Sequence, residues 1–120
     1  MNYELTPSAI KDVRGILNDT MRMFGPTQFN VYTALIDLGM AAVAKNPTIY
    51  GSSDYSELRM GIGVLHLQVV ARRKGAAAHF IYYRAGRLRD GSDGVVILRI
   101  LHEHMNPKHR LTRAVSEWMR

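Results

Sequence analysis

Four side chains in the second half of the sequence have the chemistry to act on a phosphodiester: Arg84, Arg99, His102 and His104. Imidazole titrates near neutral pH, so the two histidines could act as a base and an acid in proton transfer. The two arginines could neutralise the charge that grows on the phosphate. The alternative is a structural role, with His102 packed or hydrogen-bonded at the end of a strand. We favour the structural role, because residue types alone do not establish the geometry that catalysis needs.

Composition and spacing argue against several other kinds of site. The chain has no cysteine, which excludes thiol nucleophiles, redox pairs and thiolate zinc sites and fits a reducing cytoplasm. The sequence His102-Glu103-His104 lacks the spacing of the two histidines in helical zinc hydrolase sites, and no carboxylate completes an evident ligand set. We interpret Asp12 and Asp19 as surface charges of a helix. We therefore expect no metal and no cofactor.

Hydrophobic periodicity predicts a single α+β domain that opens with a helical hairpin. Thr6-Pro7 marks a helix start, because threonine caps free amide groups and proline is tolerated at the first helical position. Gly25-Pro26 ends this helix and begins a second one, which ends at Asn46-Pro47. The expected apolar stripes are Ile10, Val13, Leu17, Met21 and Phe24 in the first helix, and Phe29, Tyr32, Leu35, Ile36, Gly39, Ala42 and Val43 in the second.

The remaining segments have the period of strands. A short strand is expected at 3–5, and longer ones at 62–70, 78–84 and 95–102, the last covered on both faces. Residues 48–57 are expected to form a loop, and Arg72-Arg73-Lys74-Gly75 a turn. The helical hairpin must then pack on one face of a mainly antiparallel sheet, since nothing else covers its stripes.

Charge is distributed unevenly along the chain. Residues 1–58 hold four Lys/Arg and six Asp/Glu, a net charge of −2, whereas residues 59–120 hold twelve and four, a net charge of +8. This asymmetry suggests a face that meets a polyanion or an acidic protein, although the charges could equally just solvate the surface. The apolar run 60–71 is much shorter than the roughly 20 residues of a bilayer span, and the first residues lack the pattern of a secretory signal. We expect a cytoplasmic protein with no membrane contact.

Four stretches of the sequence, taken in their order along the chain, bear on which protein family this chain resembles. They are Tyr3–Ala9, Gly25-Pro26, His79–Arg84 and Arg99–Asn106, the last reading Arg-Ile-Leu-His-Glu-His-Met-Asn. In this order they resemble the RelE/ParE superfamily of bacterial toxin–antitoxin toxins, and its ParE branch in particular. The resemblance spans about residues 3–111. It implies the RelE/ParE-like fold and a toxin domain at 1–111. For the C-terminal tail at 112–120, which extends beyond a typical ParE chain, the spacing of Leu111, Ala114, Val115 and Trp118 suggests a short amphipathic helix.

The resemblance also implies a function. ParE-like toxins bind and inhibit DNA gyrase, and a ParD-like ribbon-helix-helix antitoxin neutralises them in a hetero-oligomer that reaches operator DNA only through the antitoxin. The candidate target-binding residues are Arg84, Arg99, His102, His104 and Met105. The candidate antitoxin-binding residues are Met21, Phe24, Met40, Arg59, Arg72 and Arg73, because methionine-rich margins of a helical hairpin suit an adaptable groove for a partner helix.

Two alternatives stay open. The sister RelE branch cleaves messenger RNA on the ribosome, and this reading would make His102 and Arg84 catalytic. The other alternative is a toxin fold that has lost its target and serves only as a partner in an operator-binding complex. Gly63, where many relatives have arginine, and Asn106, where they have aspartate, keep that second reading open.

Overall fold

The computed structural model describes residues 2–119. Five strands and four helices follow one another as β1 (Asn2–Leu5), α1 (Pro7–Phe24), α2 (Pro26–Lys45), β2 (Ser53–Asp54), β3 (Ile62–His66), α3 (Gln68–Ala71), β4 (His79–Arg87), β5 (Asp93–His102) and α4 (Lys108–Trp118). The strands form one sheet in the order β1-β5-β4-β3-β2. Strand β1 runs parallel to β5, and all other pairs are antiparallel. The expected α+β fold with a mainly antiparallel sheet is confirmed.

The start of α1 is fixed by Thr6. Its hydroxyl accepts the backbone N–H of Ala9 at 3.0 Å and donates to the carbonyl of Leu98 at 2.7 Å. The same side chain therefore caps the helix and joins it to β5, which explains why this polar residue is fully buried. At the other end, Gly25 has φ +85°, a conformation that suits glycine and allows α2 to turn back beside α1.

The sheet is covered on both faces. The face toward the α1–α2 hairpin, the hairpin face, carries a core that includes Ile81, Tyr83 and Ile97. The opposite face, the α4 face, carries a second core in which Leu98 and Leu101 lie with buried residues of α4. Double coverage explains the nearly unbroken apolar run of β5, as expected from the sequence.

Helix α4 changes the expected boundary of the domain. It begins at Lys108, so the division expected after Leu111 falls inside the helix. Ala114 and Val115, beyond that division, are 0% and 5% exposed. The carboxylate of Glu117 accepts hydrogen bonds from Ser8 in the first turn of α1. Helix α4 includes the apolar positions whose spacing suggested a short helix, and it packs against the sheet as its second layer.

The strand expected at 62–70 is too long. Strand β3 ends at His66, whose Nδ1 accepts the backbone N–H of Gln68 at 3.1 Å, and the chain then forms the helical turn α3. Val69 and Val70 of that turn pack against the hairpin-face core. A short apolar run does not distinguish a strand from a buried helical turn. Within the expected loop 48–57, Ser53–Asp54 pairs with β3 as the edge strand β2.

The apolar stripe expected on α1 is also partly wrong. Ile10, Met21 and Phe24 are 45%, 41% and 67% exposed, whereas the buried or half-buried positions are Ala9, Val13, Ile16 and Leu17. Ala9 is fully buried in the hairpin-face core, whereas spacing alone favoured the larger neighbouring Ile10. Among residues 2–119, no helix has both the length and the apolar character to cross a membrane.

Candidate functional site

The carboxyl end of β5 and the amino end of β4 bring a group of aromatic and imidazole side chains together. His79 lies directly opposite His102 in the sheet, with ring centroids 5.4 Å apart. Nδ1 of His79 is 2.6 Å from the hydroxyl of Tyr32, and that hydroxyl accepts the backbone N–H of Ala78 at 3.2 Å. The Tyr32 proton is then directed to His79, which leaves the neutral imidazole with its own proton on Nε2.

Burial, helped by repulsion from His102 and His66, lowers the pKa of His79 to about 4. The ring is therefore uncharged near neutral pH, as its hydrogen bond from Tyr32 requires. A neutral acceptor with so low a pKa is a weak general base. These observations favour a structural role for His79, anchoring α2 to β4 through Tyr32.

Two more histidines continue the group, and we call His66, His79, His102 and His104 the histidine cluster. Nε2 of His66 is 2.9 Å from a carboxylate oxygen of Glu103, and this hydrogen bond lowers the pKa of Glu103. Nδ1 of His102 accepts the backbone N–H of His104 at 3.1 Å. His102 is thus hydrogen-bonded at the end of a strand. This is the arrangement described above for a structural rather than a catalytic role of His102.

A groove of about 900 Å³ opens beside the histidine cluster, between the α1–α2 hairpin and the turn that joins α3 to β4. Met23 and Phe24 line it and are 62% and 67% exposed. Each acidic residue that lines it has a partner: Asp12 binds Arg99, Asp19 binds Arg22, and Glu103 binds His66. Lys11 and Lys74 also line the groove and form no ion pair among the described residues.

Arg99 is engaged inside the fold. Its guanidinium donates to both carboxylate oxygens of Asp12 at 2.7 and 2.8 Å, and the backbone N–H of Ile100 donates to Asp12 at 3.0 Å. The two side chains are 15% and 12% exposed. These hydrogen bonds raise the pKa of Arg99. Asp12 is therefore not the surface charge that the sequence suggested, and Arg99 ties β5 to α1 instead of projecting as a free cation.

Arg84 does not meet the histidines. Tyr82 belongs to the α4-face core and Tyr83 to the hairpin-face core, so the alternation of β4 places Arg84 on the α4 face. His79 and His102 lie on the hairpin face, because His79 contacts α2. Five residues of strand separate Arg84 from His79, about 17 Å at ~3.3 Å per residue. The structure therefore does not assemble the His102 and Arg84 pair that cleavage would use.

The other target-binding candidates follow β5. His104 is exposed and Met105 is 46% exposed, in the turn between β5 and α4. They adjoin His102, and Met105 lines the groove. The structure thus groups three of the five target-binding candidates at one end of the sheet, while Arg84 lies on the other face and Arg99 is paired with Asp12.

The antitoxin-binding candidates are spread over several places. Met21 and Phe24 are exposed at the end of α1, as expected, but Met40 is only 5% exposed and belongs to the hairpin-face core. Met40 was expected on a margin of the hairpin, and that expectation is wrong because its side of α2 faces the sheet. The remaining three candidates, Arg59, Arg72 and Arg73, are exposed in turns. Arg59 and Arg72 have φ of 51° and 55°.

Sequence reasoning missed Tyr32, His66 and His79 as members of this site. Their residue types were visible, but the signal that unites them is the register that sets His79 opposite His102, which depends on the whole sheet. Within residues 2–119, no three histidine, aspartate or glutamate side chains are arranged to hold a metal ion.

Comparison with known proteins gives one finding about the family. The family model described as ParE toxin of type II toxin-antitoxin system, parDE, matches residues 3–107. A comparison with curated proteins finds no match. The matched range contains the helical hairpin, the five described strands except for Asn2 of β1, and the histidine cluster, and it ends just before α4.

Proposed function

Because the chain belongs to the ParE toxin family of type II toxin–antitoxin systems, we propose that it is a toxin that binds and inhibits DNA gyrase. It catalyses no reaction of its own. A ParD-like ribbon-helix-helix antitoxin neutralises it in a hetero-oligomer, and operator DNA is contacted through the antitoxin. Both partners place it in the bacterial cytoplasm. The observation that carries this proposal is the family match across the hairpin and the complete sheet.

A binding role is supported by the state of the groups that a nuclease would need. Arg99 is held by Asp12, and Arg84 lies on the opposite face of the sheet from His102. The low pKa of His79 and its hydrogen bond from Tyr32 make this imidazole a poor base. A phosphodiester placed at the histidine cluster would thus lie on the other face of the sheet from Arg84, and Arg99 is already engaged by Asp12.

The segment that follows β5 is the proposed gyrase-contacting surface. His104 and Met105 are exposed there, and His102 supports the turn by accepting the His104 N–H. An exposed apolar side chain beside a histidine on an ordered turn suits a protein–protein contact, where a few well-placed side chains carry most of the binding energy.

The groove is the proposed docking site for a segment of the antitoxin. Its acidic side chains are engaged by partners in the fold, while Lys11 and Lys74 add positive charge to a groove that the apolar side chains of Met23 and Phe24 also line. A partner segment that alternates apolar and acidic side chains would match this arrangement, and it would gain order on binding.

A supercoiling assay with purified DNA gyrase tests the proposal. We expect the protein to inhibit supercoiling and to accumulate cleaved DNA complexes. Unaltered supercoiling at saturating protein would contradict it. For the contact surface, His104→Ala combined with Met105→Ala should weaken inhibition. The matched control is Met119→Ala, an exposed methionine at the other end of α4 that is 73% exposed, and it should inhibit like the unmodified chain.

The two alternatives give different results in cells that express the protein without antitoxin. A RelE-type ribosome-dependent endoribonuclease would leave cleaved transcripts, and His102→Ala would abolish the cleavage. A fold that has lost its target would cause no growth defect. The proposed toxin arrests growth with intact transcripts, and a neighbouring gene for a ribbon-helix-helix protein would support any toxin–antitoxin role.

A further inference from the structure

Helix α2 has an apolar row on the side that faces away from the sheet. Val31, Ala34, Leu38 and Ala41 are all exposed, and Val31 and Leu38 are each 53% exposed. We call these four residues the α2 seam. The other side of the helix supplies the core, with Tyr32, Ile36, Gly39 and Val43 among its buried residues. The helix is therefore apolar on two opposite sides, which is unusual for one that packs on a single sheet.

The spacing of the seam is that of a helix–helix contact. Its residues follow one another at intervals of three, four and three, the repeat by which two helices maintain contact along their length. Large and small side chains alternate, since each branched residue is followed by an alanine. Small side chains let two helices approach closely.

This alternation is complementary to itself in one orientation. If two copies of α2 pack antiparallel about a two-fold axis that relates Ala34 to Leu38 of the second copy, Val31 meets the second copy's Ala41. Every large side chain then faces a small one, as close packing requires. In a parallel pair, each residue would face its own type, with Leu38 against Leu38 and alanine against alanine.

Charge also favours this surface for self-association. The chain carries a net charge of +6, which opposes contact between two copies. From Pro26 to Lys45, however, the charged residues are Asp37 and Lys45 alone. The seam is thus a neutral strip on a cationic molecule. It is also separate from the groove, since none of its four residues lines that groove.

We propose that the α2 seam is the interface of a homodimer in which two copies of this chain pack α2 against α2, antiparallel, about a two-fold axis. The contact is isologous, so it closes at two copies, and it uses none of the residues that line the groove. A single pair of helices buries less area than a standard stable interface of about 1,600 Å². The dimer should therefore form at high micromolar concentration and dissociate on dilution.

Sedimentation velocity over a concentration series tests the dimer. We expect the average mass to rise from monomer toward dimer as concentration increases, and Leu38→Glu to hold the chain as a monomer. Tyr50→Glu is the matched control: Tyr50 is 95% exposed but lies outside the seam, and its variant should dimerise normally. A monomer at every concentration up to about 1 mM, or equal loss of dimer in both variants, would overturn the proposal. Circular dichroism would confirm that both variants are folded.

Engineered cysteines test the orientation, because the chain has none of its own. Val31→Cys mixed with Ala41→Cys should give an oxidised heterodimer, since the antiparallel pair sets these positions opposite each other. Neither variant alone should cross-link, because two copies of the same position are then ten residues apart, about 15 Å along the helix, beyond the ~7 Å that a disulfide spans. Cross-linking of Val31→Cys with itself would show a parallel pair and overturn the antiparallel arrangement.

Discussion

The half-buried ion pair between Asp12 and Arg99 joins α1 to β5. Asp12→Ala would leave the guanidinium without its carboxylate partner, at a side chain that is 15% exposed. We expect the free energy of unfolding to fall by about 3 kcal/mol, the lower end of the range for breaking a buried pair by removing one partner, because this pair keeps some contact with solvent. Urea denaturation followed by circular dichroism would measure the change.

The matched comparison is the pair of Arg22 with Asp19 on the surface of the same helix, whose side chains are 72% and 67% exposed. Removal of Arg22 should cost less than about 1 kcal/mol, because solvent screens this pair. Similar losses in Asp12→Ala and Arg22→Ala would contradict the structural role assigned to Arg99.

The pKa of His79 makes a second prediction at the scale of single residues. In the folded protein the pKa is about 4, below the ordinary value of 6.5, so between these values the unfolded chain binds more protons than the folded one. Stability should therefore decline as pH falls through the window from 6.5 to 4. His79→Gln, whose amide oxygen can still accept the Tyr32 proton, should remove most of this decline.

The control for the pH effect is His109→Gln, which replaces an exposed histidine of α4 and should leave the profile unchanged. The carboxylates with lowered pKa, Asp90, Glu103 and Glu117, lose their contribution only as pH falls through about 4.5 and below. Chemical denaturation at pH 7, 6 and 5 thus isolates the histidine. A flat profile over these three values would exclude the proposed neutral His79.

At the scale of elements, the pairing of β3 with β4 depends on a glycine. A Cβ atom built at Gly63 would lie 2.5–2.8 Å from ring atoms of Tyr83. That ring cannot easily move, because it is 2% exposed and its hydroxyl donates to the carbonyl of Pro47 at 2.5 Å. Gly63→Ala should destabilise the protein by about 1–3 kcal/mol through overpacking. A side chain as large as arginine at this position would displace Tyr83.

Gly86 provides a matched control in the neighbouring strand. A Cβ there has nothing within 4 Å, and its φ is not positive. Gly86→Ala should be neutral or stabilise slightly, because alanine lowers the conformational entropy of the unfolded chain. Thermal melts of the two variants would separate the effect of Tyr83 from the general cost of changing a strand glycine.

The last helix makes a prediction about the extent of the domain. Truncation after Leu111 removes buried Ala114 and Val115 and the hydrogen bonds from Ser8 to Glu117. We expect a protein that binds a hydrophobic dye and unfolds at lower denaturant concentration, because the α4 face of the sheet becomes exposed. Truncation after Trp118, which keeps all of these contacts, should have little effect. Equal stability of the two truncated chains would show that the residues after Leu111 do not stabilise the fold.

Local signals predicted much of the fold, and the errors share a physical cause. Thr6 and Gly25 act through caps and turns that depend on adjacent residues, so these boundaries were correct. The sequence predicted the wrong environment or structure for three features, because each depends on contacts distant in sequence. These are Met40, Asp12 and the second half of the apolar run after Ile62. The histidine cluster is of this second kind, since it exists only once β3, β4 and β5 are in register. Only residue types, not their convergence, could be predicted for the site.

At the scale of the whole molecule, the groove is bordered by a basic turn on one element and by exposed apolar side chains on another. The exposed cations Arg72 and Arg73 occupy the turn next to the groove. The exposed apolar side chains of Phe24 and its neighbours lie at the end of α1. Long-range attraction acts on the rate of association, and burial of apolar surface acts on the rate of dissociation. The two contributions to antitoxin binding can therefore be separated by measuring rates.

This separation predicts how a ParD-like antitoxin would bind under the proposed function. Arg72→Glu combined with Arg73→Glu should slow association, on the order of tenfold at low salt, and leave dissociation nearly unchanged. Phe24→Ala should accelerate dissociation instead and leave the salt dependence intact. Surface plasmon resonance at several salt concentrations would resolve both effects, since salt above about 0.5 M screens charges beyond a few ångströms. If the charge-reversed variant associated at the original rate at low salt, the basic turn would have no part in steering the partner.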